Sequence, residues 1–118
     1  MFAVLPLLLL LSPVAVDAPA TSTSSQEELR FGIRVARQGL WQEARFRFER
    51  AARLDPNNAK ALNNLGVALE QAGVFDEARK AYERALELKP GNLYIQQNYD
   101  LFREADDKRN RQNKKRSR

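Results

Sequence analysis

Few residues of this sequence could carry out chemistry. Its 118 residues include no cysteine and no histidine, which excludes thiol nucleophiles, disulfides, thiolate or imidazole metal sites and imidazole acid–base catalysis. No glycine-rich phosphate loop is present, and the carboxylates stand among basic residues as charge pairs on helix surfaces. We therefore predict a protein that is not an enzyme, with no catalytic residue, metal site, cofactor or small-molecule substrate.

Positive charge is concentrated in residues 108–118. This stretch holds seven Lys or Arg and no Asp or Glu, hence +7, against +5 for the whole chain. It contains no apolar residue, so we predict a disordered basic tail. The alternative function is an anion-binding protein that uses this tail at a membrane, a cell-wall polymer or nucleic acid. A tail that only keeps the protein soluble is the other possibility. The candidate anion contacts are Lys108, Arg109, Arg111, Lys114, Lys115, Arg116 and Arg118.

An apolar run opens the sequence. Fifteen of the first 20 residues are apolar, with Leu7 to Leu11 unbroken, but prolines interrupt the run and a membrane-spanning helix needs about 20 apolar residues. Ala18-Pro19-Ala20 has the small-x-small pattern of a signal-peptidase site. We predict that residues 1–20 are a signal peptide and that the protein is exported, periplasmic or secreted. An uncleaved membrane anchor and a mis-assigned start are the alternatives.

A repeat of 34 residues organises the middle of the chain. Laying 25–58 over 59–92 without a gap gives 11 identities in 34 positions. They include a glycine pair (Gly32 and Gly66) and a proline pair (Pro56 and Pro90). Conserved spacing of this kind is typical of stacked repeat units.

Each unit has the signals of a helix, a turn and a second helix. Ser25 with Glu28 predicts a capping box, and Gly39 and Gly73 predict the ends of the first helices. Apolar residues recur at i, i+3 and i+4, and no segment alternates with period two, so no sheet is predicted.

These positions resemble the tetratricopeptide-repeat family. The second repeat matches the family pattern at Leu62, Leu65, Gly66, Leu69, Ala78, Tyr82, Ala85 and Pro90, and the first at Phe31, Gly32, Val35, Ala44, Phe48, Ala51 and Pro56. The first repeat departs by having Glu28 where Trp or Leu is usual, which we attribute to the water-facing side of a terminal repeat. The resemblance implies an all-α fold of about five helices, with repeats at 25–58 and 59–92. A capping helix follows at 93–107, with the apolar stripe Ile95, Tyr99 and Phe102.

The resemblance also implies a concave groove that binds a peptide or helix of another protein. Its candidate residues are Leu29, Ile33, Arg37, Lys60, Asn63, Val67, Glu70, Tyr94 and Leu101. We predict a non-catalytic scaffold that binds a protein partner there, with self-association as the alternative. The carboxylate clamp of some family members is not matched, because Leu29 and Ile33 stand at two of its positions and cannot hydrogen-bond a carboxylate. Because stable arrays usually have three or more repeats, we expect two repeats to associate with another helical protein or with a second copy.

Overall fold

The structure is a computed structural model, and residues 23–118 of it are described. This part of the chain folds into five α-helices and no strand, which confirms the all-α prediction. The helices are α1 (Ser25–Arg37), α2 (Trp41–Leu54), α3 (Ala59–Gln71), α4 (Phe75–Leu88) and α5 (Leu93–Arg116). Helix α1 packs on α2 and α3 on α4, α2 joins the two pairs, and α5 covers α3 and α4. The predicted signal peptide, 1–20, lies outside the described residues and stays a prediction.

Polar side chains cap the N-termini of three of the helices. The capping box at α1 is formed by Ser24 and Glu27: the Glu27 amide donates to the Ser24 hydroxyl at 3.1 Å, and the Ser24 amide donates to the Glu27 carboxylate at 2.9 Å. The predicted box of Ser25 and Glu28 is therefore wrong by one residue. Asn58 and Asn92, one repeat apart, cap α3 and α5 by a single hydrogen bond each, which their side-chain oxygens accept from the backbone amides three residues on.

One glycine follows the first helix of each repeat and ends it, as predicted. Gly39 and Gly73 have φ values of 77° and 75°, a left-handed conformation that costs glycine little and other residues more. The chain reverses there, and α2 and α4 pack back against α1 and α3.

Two further glycines let the paired helices approach closely. A Cβ atom added at Gly32 would lie 2.5 Å from the Phe48 ring, and one at Gly66 would lie 2.8 Å from the Tyr82 ring. Both aromatic side chains are almost fully buried, and the alanines one turn on either side of them, in α2 and α4, are buried completely. Each repeat therefore has a glycine in its first helix facing an aromatic ring from its second.

The apolar stripe of α5 covers the open side of the second repeat. Ile95 and Phe102 are buried and Tyr99 is half-buried. The Phe102 ring centroid lies 5.4 Å from that of Tyr82 in a tilted arrangement, which is a favourable geometry for an aromatic pair. Helix α5 therefore packs on the repeats as a capping helix.

The structure corrects the predicted end of α5 at residue 107. It also corrects the predicted disorder of residues 108–118, because residues 108–116 are helical. The helix continues to Arg116, and Asp106 and Arg109 hold its middle against α4. Asp106 is 5% exposed and pairs with Arg79 of α4 and with Arg109, whose guanidinium lies 3.4 Å from the centre of the Phe75 ring. Basic residues in its last turn also stabilise the helix, because they interact favourably with the negative end of the helix dipole. None of the helices in residues 23–118 combines the length and the apolar character needed to cross a bilayer.

The structure also corrects the interpretation of Glu28. This side chain does not face water: it is 1% exposed, and its carboxylate pairs with Arg47 at 3.3 Å and with Arg50 at 3.1 Å. Both arginines come from α2, and their charge compensates a buried carboxylate that would otherwise be costly. A paired acid thus fills a position where the family pattern has a large apolar side chain.

The close helix approach predicts the effect of Gly32→Ala. The added methyl group would overlap the Phe48 ring, and overpacking of this kind costs about 1–3 kcal/mol. Alanine regains up to about 1 kcal/mol of helix propensity, so we expect a net loss of about 1 kcal/mol in the free energy of unfolding. Urea denaturation measures it.

Gly91→Ala is the matched control. Nothing lies within 4 Å of its added Cβ atom and its φ is not positive, so stability should stay within about 0.5 kcal/mol of the parent or rise slightly. A Gly32→Ala protein more stable than the parent would contradict the packing described here.

The ion pairs of Asp106 predict a second effect. Asp106→Ala should lower the free energy of unfolding by about 1–3 kcal/mol, because Arg79 and Arg109 lose the buried carboxylate that holds α5 on α4. Asp107→Ala is the matched control, because it gives the same gain in helix propensity. Asp107 is exposed and forms no ion pair in the described structure, so the free energy of unfolding should change by less than about 0.5 kcal/mol. Equal stability of the two variants would refute the role given to Asp106.

Candidate functional site

An apolar cleft opens on the surface formed by the first helices of the repeats. It has a volume of about 220 Å³, enough for one large side chain but not for a folded element. Six of its eight lining side chains are apolar or aromatic, and the other two are an arginine and an asparagine. The lining residues are Ile33, Ala36, Arg37, Trp41, Phe48, Asn64, Val67 and Tyr94. We call this site the apolar cleft.

The repeat geometry determines which residues meet there. Ile33 and Val67 stand 34 residues apart, at the same position of consecutive repeats, so stacking the repeats places them side by side. Arg37 follows Ile33 by one helical turn and therefore lies on the same face of α1. Tyr94, at the start of α5, forms the opposite wall. Four of the nine predicted groove residues thus line one cleft.

A larger and more polar cavity adjoins the apolar cleft. It has a volume of about 570 Å³ and lies where α3 and α5 begin, with Tyr94 as the wall that the two cavities share. Lys60 and Lys89 line it, and neither forms an ion pair within residues 23–118. The one acidic lining residue, Asp55, accepts a hydrogen bond from the Asn57 amide at 3.0 Å. We call this cavity the polar basin; it contains the predicted groove residue Lys60.

Asn63 belongs to the wall of the polar basin but is fully buried. Its side-chain oxygen accepts a hydrogen bond from the side-chain nitrogen of Asn98 at 3.2 Å, which links α3 to α5. Its own side-chain nitrogen has no partner among the described residues. Asn63 therefore supports the position of α5 and is not a surface contact, contrary to its predicted place in the groove.

Three other predicted groove residues do not line either cavity. Leu29 is 1% exposed and packs in the core of the first repeat, so it cannot touch a partner. Glu70 accepts a hydrogen bond from the Tyr82 hydroxyl at 3.0 Å, and burial raises the pKa of Tyr82 far above its ordinary value, which keeps that proton in place. Leu101 is 59% exposed on α5, away from both cavities.

The sequence interpretation missed the α2 side of the cleft. Trp41 and Phe48 come from the second helix of the first repeat, whereas the groove was predicted from the first helices and the capping helix. Their signal was present in the repeat pattern: aromatic Phe75 and Tyr82 stand 34 residues further on. The large volume of these two rings lets α2 reach past α1 into the cleft.

The predicted anion-contacting residues divide into two groups. Arg109 has a structural role, because it pairs with Asp106 and stacks on the Phe75 ring. The other six, Lys108, Arg111, Lys114, Lys115, Arg116 and Arg118, are exposed and make no ion pair with residues 23–118. No group of acidic residues in this part of the chain is arranged to hold a metal ion.

Comparison with known families identifies the class of protein. The tetratricopeptide-repeat model matches residues 29–92, which is more than half of the chain. The chain therefore belongs to the tetratricopeptide-repeat family, as the sequence pattern indicated. This fold is typically a non-catalytic module for protein–protein interaction. A search of curated proteins finds no match.

Solved structures agree with this fold. The second tetratricopeptide-repeat domain of human RPAP3, solved in complex with an HSP70 peptide, has a TM-score of 0.65 and 22% identity, over 69% of this chain and 68% of that one. The Sgt2 domain from Aspergillus fumigatus has a TM-score of 0.72 and 20% identity, over 76% of this chain and 61% of that one. The MamA protein has a TM-score of 0.67 and 28% identity, and the match covers 75% of this chain but 49% of MamA.

Proposed function

We propose that this protein binds a segment of a partner protein by taking one large apolar side chain into the apolar cleft. The observation that carries the proposal is an open cleft of about 220 Å³ lined mainly by apolar and aromatic side chains. Burying one large side chain there would contribute about 1.5–3 kcal/mol to binding. The family's role as an interaction module supports this use of the cleft.

Two polar side chains at the cleft define the rest of the contact. The Asn64 side chain is half-buried and has both a donor and an acceptor, so it suits the backbone of an extended or helical segment. Arg37 is exposed at the edge and suits a carboxylate or a backbone carbonyl. Such a combination of an apolar pocket with a few placed polar groups is typical of peptide recognition.

The polar basin adds a preference for acidic residues. Lys60 and Lys89 stand there without ion pairs in the described structure, and the hydrogen bond to Asp55 keeps that carboxylate on its own loop. Because Tyr94 separates the basin from the apolar cleft by the width of one side chain, an acidic residue close to the apolar anchor would reach the lysines. We infer a partner segment with one large apolar residue and at least one acidic residue nearby.

Selection from a displayed peptide library tests the proposal directly. The chain should enrich peptides that combine a large apolar residue with an acidic one. Val67→Glu places a charge in the apolar cleft, so the affinity of a selected peptide should fall by about tenfold or more, which corresponds to about 1.4 kcal/mol. Lys60→Gln combined with Lys89→Gln should remove the acidic preference and keep the apolar one.

Phe46→Glu is the matched control. Phe46 is an exposed apolar residue of α2 that lines neither the cleft nor the basin, so a selected peptide should bind this variant as it binds the parent. Circular dichroism melting establishes that each variant is folded. Peptides that bind the Val67→Glu variant normally but lose binding to the Phe46→Glu variant would place the site on the other surface and refute the proposal.

A further inference from the structure

We propose that the end of α5 binds the surface of an anionic phospholipid membrane. This segment, which we call the basic helix end, comprises residues 108–118. It is separate from the apolar cleft and the polar basin, and the proposal does not depend on either of them.

The helical conformation collects four of the seven cations on one side. With about 100° of rotation per residue, Lys108, Arg111, Lys114 and Lys115 fall within an arc of about 120°. Asn113 lies on the opposite side together with Arg109 and Arg116, and no acidic residue occurs between Lys108 and Arg118. All four cations of the arc are exposed. A disordered segment of the same composition would have no such face.

The fold holds this face in a fixed direction. Arg109 stacks on the Phe75 ring of α4 and pairs with Asp106, which also pairs with Arg79. One side of the helix is thereby attached to the repeats at the point where the basic helix end begins. The cations beyond it are exposed and form no ion pair in the described structure.

The chemistry of the basic helix end favours lipid headgroups over nucleic acid. It has no aromatic residue on which bases could stack. A fluid layer of anionic headgroups adapts to any spacing of cations and contributes about 1 kcal/mol per Lys or Arg near the surface.

The N-terminal apolar run points to the same partner. If the predicted leader, 1–20, is cleaved, the chain passes through a membrane; if it is retained, the chain stays attached to one. In both cases a phospholipid surface is an extended anion within reach of the exposed cations, whereas a mis-assigned start, the third alternative for residues 1–20, gives the proposal no support. With no apolar residue in 108–118, binding would be electrostatic and at the surface, without insertion.

Vesicle sedimentation with the full chain tests the proposal. The quantity compared is the ratio of protein bound to phosphatidylcholine–phosphatidylglycerol vesicles over protein bound to phosphatidylcholine vesicles, because any contribution of the apolar run enters both and cancels. We expect a ratio well above one that falls as salt is raised. Replacing Lys108, Arg111, Lys114 and Lys115 by Gln should lower the ratio by about tenfold or more.

The matched control removes the same charge from the repeats. Arg30, Arg34, Arg53 and Lys80 are exposed and form no ion pair within residues 23–118, and their replacement by Gln should leave the ratio close to that of the parent. The Val67→Glu variant should also keep it, which separates this proposal from the one on the apolar cleft.

Three results would overturn the proposal. A ratio near one for the parent would show no preference for anionic lipid. An equal loss in the α5 variant and the repeat variant would assign the effect to net charge. Tighter binding to a DNA duplex than to anionic vesicles, lost in the α5 variant, would make nucleic acid the partner of the basic helix end.

Discussion

The close approach of the two helices in each repeat is the constraint on which the rest of this structure depends. It requires glycine at positions 32 and 66, because the rings of Phe48 and Tyr82 occupy the space where a Cβ atom would stand. With both pairs packed alike, the repeats stack in register, and equivalent residues such as Ile33 and Val67 come to one surface. The apolar cleft is thus a consequence of the packing inside each repeat, completed by Tyr94 of α5 as its opposite wall.

Two repeats do not cover their own apolar surface, and this chain completes them with buried acids as well as apolar residues. In the first repeat Glu28 is buried between Arg47 and Arg50. In α5 the acid is Asp106, between Arg109 and Arg79, and the Arg79 guanidinium lies over the Phe102 ring. Paired buried charges stabilise less than apolar contacts of the same size but tolerate mismatch poorly, so these pairs fix which surfaces meet. They also link the two proposed binding surfaces, since Tyr94 and the basic helix end belong to the helix that Asp106 holds.

The repeats, their turns and the apolar stripe of α5 were predictable because their signals are local. A glycine at a helix end or an i, i+3, i+4 stripe has the same meaning in any surroundings. Apart from the one-residue shift of the α1 capping box, the errors concern side chains whose environment comes from another helix. Glu28 and Leu29 were assigned to exposed surfaces because nothing near them in sequence shows that α2 covers them. Residues 108–118 were predicted disordered from composition alone, which does not show that Arg109 is anchored on Phe75, 34 positions away.

The central claim is that α5 and the two repeats form one cooperative unit on which the cleft depends. Native-state amide hydrogen exchange of the full chain tests it most directly, since it gives an opening free energy for each amide. If the account is right, the amides of α5 from Asn98 to Asp106 open with the same free energy as the buried amides around Leu69 and Tyr82. If the α5 amides open at a free energy lower by about 2 kcal/mol or more, the helix is an independent appendage and the account is contradicted.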